Sequence, residues 1–346
     1  MLPEPAYKSL LDNISQTFSA ARGKAYSLIS HILLEAHWSI GKQIVEYDQH
    51  RQDKAIYCKK LMQNLAKDLL LQLGKGFSLS NLYLMRQFYE AYPIFQTSGK
   101  LTWSHYGEIL SVSDPLARSF YEKQCVSEGW SVRQLKREIQ SALFHRLAVS
   151  RDKAGILALA AEGQQNSLPE DVVRDPYILE FLGIAEDHRL SEKELETKLM
   201  DHLQAFLLEP GKGFTFVGRQ FRITLDNRHY RVDLVFYHRI LRCFVLIDLK
   251  TGRVQHEDIG QMNMYLNYFR AEQNVEGDTA PIGIVLCADK HEILVEYALG
   301  GISNQLFGSK YQFYFPDTQE LQRQLEVVME RDSPGAGGVA EALRFR

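Results

Sequence analysis

Apolar positions recur at three- and four-residue steps through the first 150 residues, and the remainder mixes such helices with short extended runs. The first pattern is that of helices with one buried face. It runs through Tyr26, Ile29, Leu33, Ala36, Ile40, Ile44 and Val45, then through Tyr57, Leu61, Leu65, Leu69 and Leu70. Gly74-Lys75-Gly76 stops the second helix, because glycines permit the chain to reverse. Ser78 or Ser80 can cap a third helix, whose apolar face is Leu82, Met85, Phe88 and Tyr89. Pro93–Lys100 breaks the pattern, and further helices are predicted near Tyr106–Leu110, Pro115–Glu128 and Ser131–Leu147.

Residues 151–172 read as a connector, ending in a polar stretch before Pro169. They divide a helical domain (1–150) from a second domain (173–332), and a Pro- and Gly-rich tail (333–346) is expected to be flexible. In the second domain Ser191 and Glu194 form a capping box that opens a helix reaching about Leu208. Three extended runs come next, Phe214–Leu225, Tyr230–Tyr237 and Leu241–Lys250, joined by hairpin-length turns. A helix from Glu257 to Arg270, a buried strand Pro281–Cys287, a strand or short helix Ile293–Leu299, a strand Tyr311–Phe315 and a helix Asp317–Met329 complete the pattern. The fold class is therefore α+β overall, with an all-α N-terminal domain and an α/β C-terminal domain built on a mixed central sheet.

At 45% apolar and 24% charged, the chain is typical of globular protein. Its longest apolar runs, Cys243–Ile247 and Ile282–Ala288, are too short to span a bilayer. No basic-then-apolar leader opens it, so no membrane partner is expected and the expected setting is cytoplasmic. Cys58, Cys125, Cys243 and Cys287 lack the spacing of a zinc cluster or a disulfide framework. The net charge of −3 divides unevenly, +5 over residues 1–150 and −8 over the rest. A basic first half is compatible with a polyanionic partner, and equally with two ordinary surfaces of different charge; Lys136, Arg137, Arg146 and Arg151 would serve either as such a patch or as a solvated helix face.

The chemistry concentrates on one strand. Cys243-Phe244-Val245-Leu246-Ile247 is apolar, and Asp248-Leu249-Lys250 then delivers an acid and a base on one face. Burying such charges is costly unless they are paired or bind an ion. Asp233, acidic among the apolar residues of the preceding run, is brought alongside by the hairpin. Two acids on adjoining strands can share a divalent cation, and an all-oxygen ligand set suits Mg²⁺ or Mn²⁺. Lys250 could orient a water or neutralise a phosphate. Glu196, early in the helix before the strands, is a third candidate ligand. Gln261 and Tyr265, four residues apart on the next helix, share a face; Gln261 could hold the water and Tyr265 could touch a nucleic-acid backbone. An acid-x-Lys triplet alone is common by chance, and a buried ion pair with Arg231 is the plain alternative for Asp233. His238, His256 and His291 lack ligand-like spacing and read as surface or turn residues. Trp38, Trp103 and Trp130 read as core.

Asp233 with Asp248-x-Lys250 resembles the PD-(D/E)xK nuclease superfamily. The stretch from Asp175 to Gly183, together with Phe206–Glu209, Gly213–Gln220, Asp233–Arg239, Gly260–Met262 and Pro281–Cys287, resembles its YhcG-like bacterial branch over roughly residues 170–315. The N-terminal half is similar to that family's helical domain. The family usually has Glu where this chain has Asp248, and Val232 stands where the superfamily's proline would be.

The resemblance implies a restriction-endonuclease-like fold, a divalent metal (Mg²⁺ or Mn²⁺) held by Asp233, Asp248 and Glu196, catalysis with Lys250 and Gln261, and a nucleic-acid substrate. DNA is favoured over RNA by analogy alone, and a homodimer is a common arrangement because each subunit can cut one strand. Restriction, defence and repair are all compatible roles. Residues 65–92 also resemble a helix-turn-helix, whose second helix would present Asn81, Arg86 and Gln87 to nucleic acid, with plain helical packing as the alternative. The competing reading is a catalytically silent nucleic-acid-binding or assembly module that keeps the nuclease fold; loss of an acid or of the lysine would mark it, and none is lost.

Overall fold

The computed structural model describes residues 4–49, 54–95, 100–149, 151–165, 169, 173, 176–184, 190–289 and 305–331. The predicted Ile293–Leu299 element, His291, the flexible tail and most of the stretch 163–175 lie outside these residues. Two compact units divide the chain, Met1–Arg137 and Glu138–Arg346.

The first unit is helical. Helices α1 (Glu4–Gln49), α2 (Lys54–Leu73), α3 (Leu79–Ala91), α4 (Trp103–Ile109) and α5 (Pro115–Glu128) succeed one another, and α6 (Val132–Gln140) runs across the division. Ile44, Met62, Leu82 and Met85 form one buried cluster among α1, α2 and α3. Ser78 caps α3 by accepting from Asn81 N–H, and Asp114 caps α5 by accepting from Leu116 N–H. Trp103 packs edge-on against Phe88 and at a tilt on His37. Helices α1 and α3 approach closely at Gly41, where an added Cβ would run into the Met85 carbonyl and lie 3.2 Å from Tyr89 Cβ. Gly41→Ala is therefore expected to destabilise this unit by about 1–3 kcal/mol through overpacking, even though alanine is the better helix former by about 1 kcal/mol. Thermal unfolding followed by circular dichroism checks this; an unchanged or raised midpoint would contradict it.

The predicted helix Ser131–Leu147 is two helices. The chain turns at Ala142, which adopts φ 51°, and α7 (Leu143–Val149) starts again beyond it. The stretch read as a connector carries a further helix, α8 (Lys153–Glu162), capped by Asp152. Beyond it the chain forms β1 (Tyr177–Ile178), α9 (Glu192–Asp201), α10 (Leu203–Leu208), β2 (Phe214–Leu225), β3 (Arg228–His238), β4 (Cys243–Arg253), α11 (His256–Tyr268), β5 (Ile282–Asp289), β6 (Leu306–Gln312) and α12 (Thr318–Arg331).

The strands make one six-stranded mixed sheet in the order β1-β6-β5-β4-β3-β2. β2, β3 and β4 are an antiparallel meander; β5, β6 and β1 join in parallel. Asp226 and Asn227, at φ 48° and 59°, make the two-residue β2–β3 turn, as short acidic and amide side chains tolerate that region. The β4–β5 pair is parallel, so it needs a crossover, and α11 supplies it. One sheet face packs Leu195, Leu199 and Phe206 against Leu234, Phe236, Val245 and Ile247. The other packs Ile259, Met262, Tyr265 and Leu266 against Val235, Leu246 and Val285. Both faces of β4 are thus covered, as its unbroken apolar run requires.

His238 differs from its sequence reading. It is fully buried, its Nε2 donates to the Lys212 carbonyl at 3.1 Å and its Nδ1 accepts from Leu241 N–H at 3.1 Å. It therefore clasps two loops at the end of β3, and burial lowers its pKa. Arg146 differs too. It is no surface cation: its guanidinium lies 3.0 Å from Glu209 Oε1, with the two side chains 2% and 0% exposed.

Candidate active site

The site forms where β3 and β4 part. Their ladder ends at Leu234 opposite Ile247. Just beyond, Leu249 N–H donates to Asp233 Oδ2 at 2.8 Å, so the acid side chain of β3 takes up a backbone amide of β4. Asp233 Oδ1 accepts from Gln220 Nε2 at 3.0 Å, and the same amide nitrogen donates to Glu196 Oε2 at 2.8 Å. Carboxylates from α9 and β3 therefore converge on a single NH₂ group from β2.

Asp248 lies two residues beyond Leu246 along β4 and is buried. Lys250 Nζ stands 2.9 Å from Asp248 Oδ2 and 3.4 Å from Asp258 Oδ1. Asp258 is fixed in turn because its other oxygen accepts from Gln255 N–H at 2.8 Å, capping α11. Lys250 is the cation that faces Asp248 Oδ2, and the pair is largely buried.

Charge in this space is unbalanced toward the acids. Burial, then the neighbouring Asp233, pushes Asp248 up to about 6 against the pull of Lys250. Burial and Asp233 also raise Glu196, against Gln220 and nearby cations. Burial opposes the charge on Lys250, but the carboxylates of Asp248, Asp258 and Glu192 outweigh it and hold the ammonium above its ordinary range.

Tyr265 is fully buried. Its hydroxyl donates to the Arg231 carbonyl at 2.9 Å and accepts from Gln261 Nε2 at 2.6 Å. The shared face of this pair is real, but the tyrosine offers no surface to a nucleic-acid backbone; it holds Gln261 and α11 against β3. Burial, then Asp248 and Asp233, pushes Tyr265 up to about 12. Arg86 and Gln87 lie in the other unit and are engaged there. Arg86 pairs with Asp48 at 3.3 Å and with Glu90 at 2.9 Å, and Gln87 donates to the Leu110 carbonyl at 2.7 Å.

Sequence reasoning misses two residues of the site, Gln220 and Asp258. Gln220 adopts φ 50° within β2, just after a register shift between Phe216 and Gly218. Positive φ in a non-glycine strand residue is strained and concentrates at functional positions. The available signal is Gly218, since a glycine inside an alternating strand marks a bulge. For Asp258 it is the acid three residues after the cap position.

Oxygen donors from Asp233, Asp248 and Glu196 suit a hard divalent cation in kind. An excess of buried carboxylate is what such an ion would satisfy. Among the described residues no three acid, imidazole or thiol side chains already form a closed ligand group; Gln220 and Lys250 occupy part of the space between the acids. The fit is therefore one of donor chemistry, with Gln220 Nε2 as the partial positive charge that now joins Glu196 to Asp233. On the Glu196 side a cleft of about 660 Å³ is lined by Lys193, Glu196, Arg219, Gln220, Arg231 and Asp233.

A mixed sheet that sets Asp233 beside Asp248-x-Lys250, with helices on both faces, has the form of a PD-(D/E)xK nuclease. The YhcG PDDEXK nuclease domain matches residues 170–326, and the DUF1016 N-terminal domain matches residues 13–146. The chain is 38% identical to "Putative nuclease YhcG" of Escherichia coli (strain K12), over 94% of this chain and 96% of that protein. It belongs to the YhcG family of PDDEXK nucleases.

Among solved structures, a repair endonuclease from Pyrococcus abyssi is 20% identical over 38% of this chain and 50% of that one, with a TM-score of 0.25. An EndoMS–double-stranded DNA complex is 16% identical over 39% and 50%, also with a TM-score of 0.25. The chain spans about half the length of these two. Among the described residues no helix is long and apolar enough to cross a membrane.

Proposed function

We propose that the second unit hydrolyses phosphodiester bonds of nucleic acid, with DNA as the favoured substrate and Mg²⁺ or Mn²⁺ as the ion. The observation behind this reading is the convergence of Asp233, Glu196 and the buried Asp248 beside Lys250, where acids outnumber the cations that face them. Asp233 and Asp248 would hold the ion, with Glu196 beside them. Once bound, it would lower the pKa of a water and offset charge building on the phosphate.

The protein's own groups have distinct parts. Lys250, kept charged by Asp248 and Asp258, donates to a phosphate oxygen or to the attacking water. Asp233 stays oriented through Leu249 N–H. Gln261, braced by Tyr265, would hold a water or a phosphate oxygen. Lys193, Arg219 and Arg231 line the adjoining cleft and would carry the flanking phosphates. Gln220 would release its amide from Glu196 and Asp233 as the ion enters.

The test is cleavage of labelled linear, nicked, branched, single-stranded and modified DNAs and of RNAs, with Mg²⁺ or Mn²⁺ and with chelator. Wild type is expected to cut at least one DNA. Lys250→Ala is expected to lower the rate by about 10²-fold or more, the loss of one donor in a partly buried site, and chelator to stop it. Cutting that survives both Lys250→Ala and chelator would sink the assignment.

A further inference from the structure

The first helix has a part that its own unit does not use. Every residue from Tyr7 to Ile29 is exposed, so α1 stands clear of the described residues over its N-terminal half. An isolated helix is marginal in water, since most helical stability comes from packing an apolar face. This half nevertheless carries such a face. Tyr7, Leu11, Ile14, Phe18, Ala21, Ala25, Leu28 and Ile32 succeed one another in alternating steps of four and three residues. Ile14 is 59% exposed and Phe18 69%.

That seam is not a continuation of the surface by which α1 packs on its own unit. Leu34, Gly41, Ile44 and Val45 are the buried positions further along. Carried back by whole heptads, their face meets Ser27, Ala20, Asn13, Ser30, Gly23, Gln16, His31, Lys24 and Thr17, which are small or polar, and only then Leu10. The apolar seam lies on another side. A repeat of 3.5 residues sustained over four heptads is the signature of a left-handed coiled coil, which requires a partner of the same period.

We infer that α1 pairs with α1 of a second copy of this chain through this seam, as a parallel, in-register coiled coil. A second copy has the matching period by construction, and a two-fold pair buries the same surface on both chains. Charge fits as well. The positions flanking the seam are Lys8, Ser15, Arg22 and Ile29 on one side, and Leu10, Thr17, Lys24 and His31 on the other. In the parallel pair Leu10 meets Ser15, Thr17 meets Arg22 and Lys24 meets Ile29, so like charges do not face each other. Ala21 and Ala25 let the two helices approach closely at mid-seam. The inference is independent of the nuclease chemistry.

Sedimentation velocity of the full chain at about 20 μM tests it. Wild type is expected to sediment as a dimer. The double variant Ile14→Glu/Phe18→Glu should associate at least about 100-fold more weakly, because it puts unpaired charges into the seam. Gln16→Glu, off the seam, should leave the dimer intact, and thermal unfolding reports that each variant still folds. Ala21→Cys should give an oxidised dimer on a non-reducing gel, which the unsubstituted chain does not give. A monomeric wild type would overturn the inference. So would a dimer that survives the double variant, a dimer without the Ala21→Cys crosslink, or a different protein seated on the helix.

Discussion

Asp248→Asn is expected to lower phosphodiester hydrolysis by at least about 10³-fold while raising the melting midpoint of the ion-free protein. The first effect comes from removing a charge that would hold the ion. Metal stabilisation of developing charge is worth several kcal/mol, and each 1.36 kcal/mol is a factor of ten in rate. The second comes from burial. Asp248 is 4% exposed and its carboxyl is raised from 3.8 to about 6. The folded state therefore holds this proton more tightly than the unfolded chain does, and stability falls as pH rises across that window. The shift corresponds to roughly 2–3 kcal/mol of unfavourable charge burial. Asparagine escapes that cost but leaves Lys250 with Asp258 alone at 3.4 Å. A net gain on the order of 1 kcal/mol remains, about 2–4 °C. The gain should be small near pH 4 and fully developed above pH 6. Calorimetry in chelator reads it; a midpoint lower than wild type at pH 7 would show that the acid is a structural partner of Lys250 first.

The opposite balance holds at Arg146 and Glu209. Arg146 Nε donates to the Ser141 carbonyl at 2.8 Å, and Glu209 Oε1 also accepts from Ile178 N–H at 3.0 Å, so the pair ties α7 to the edge strand β1. Arg146→Met alone takes the cation from a buried carboxylate and is expected to cost about 3–5 kcal/mol, lowering the midpoint by about 10 °C. The double variant Arg146→Met/Glu209→Leu should recover most of that, since an apolar pair needs no desolvation of charge. A single variant within about 1 kcal/mol of wild type would mean that water reaches the pair, and the tie would then be worth little.

Much of the second unit is legible from extended runs bounded by turn residues. β2 spans the predicted run Phe214–Leu225, the Ser191–Glu194 capping box opens α9, and the β3–β4 hairpin sets the strands of Asp233 and Asp248 side by side, with a turn over residues 239–242 where 238–240 was expected. The features that escape depend on local backbone geometry. The capping box predicts one helix to Leu208, but it breaks at His202. The turn at Ala142 needs a positive φ that no side chain there advertises. In α1 the helix starts at Glu4, long before Tyr26, because its first half carries a different repeat from the one that packs in the unit. The Glu196–Gln220–Asp233 link is invisible for a similar reason: it rests on the positive φ that Gln220 adopts just beyond the register shift in β2.

That register shift has a second consequence. β2 is the outermost strand of the sheet and twelve residues long. A long, regular edge offers a row of unpaired amides and carbonyls on which another chain could add a strand. The extra residue at Val217 and the left-handed turn of the chain at Gln220 interrupt that row midway, and Arg219 and Arg222 put charge along it. The same irregularity that draws Gln220 between two carboxylates keeps the edge from serving as a template for aggregation.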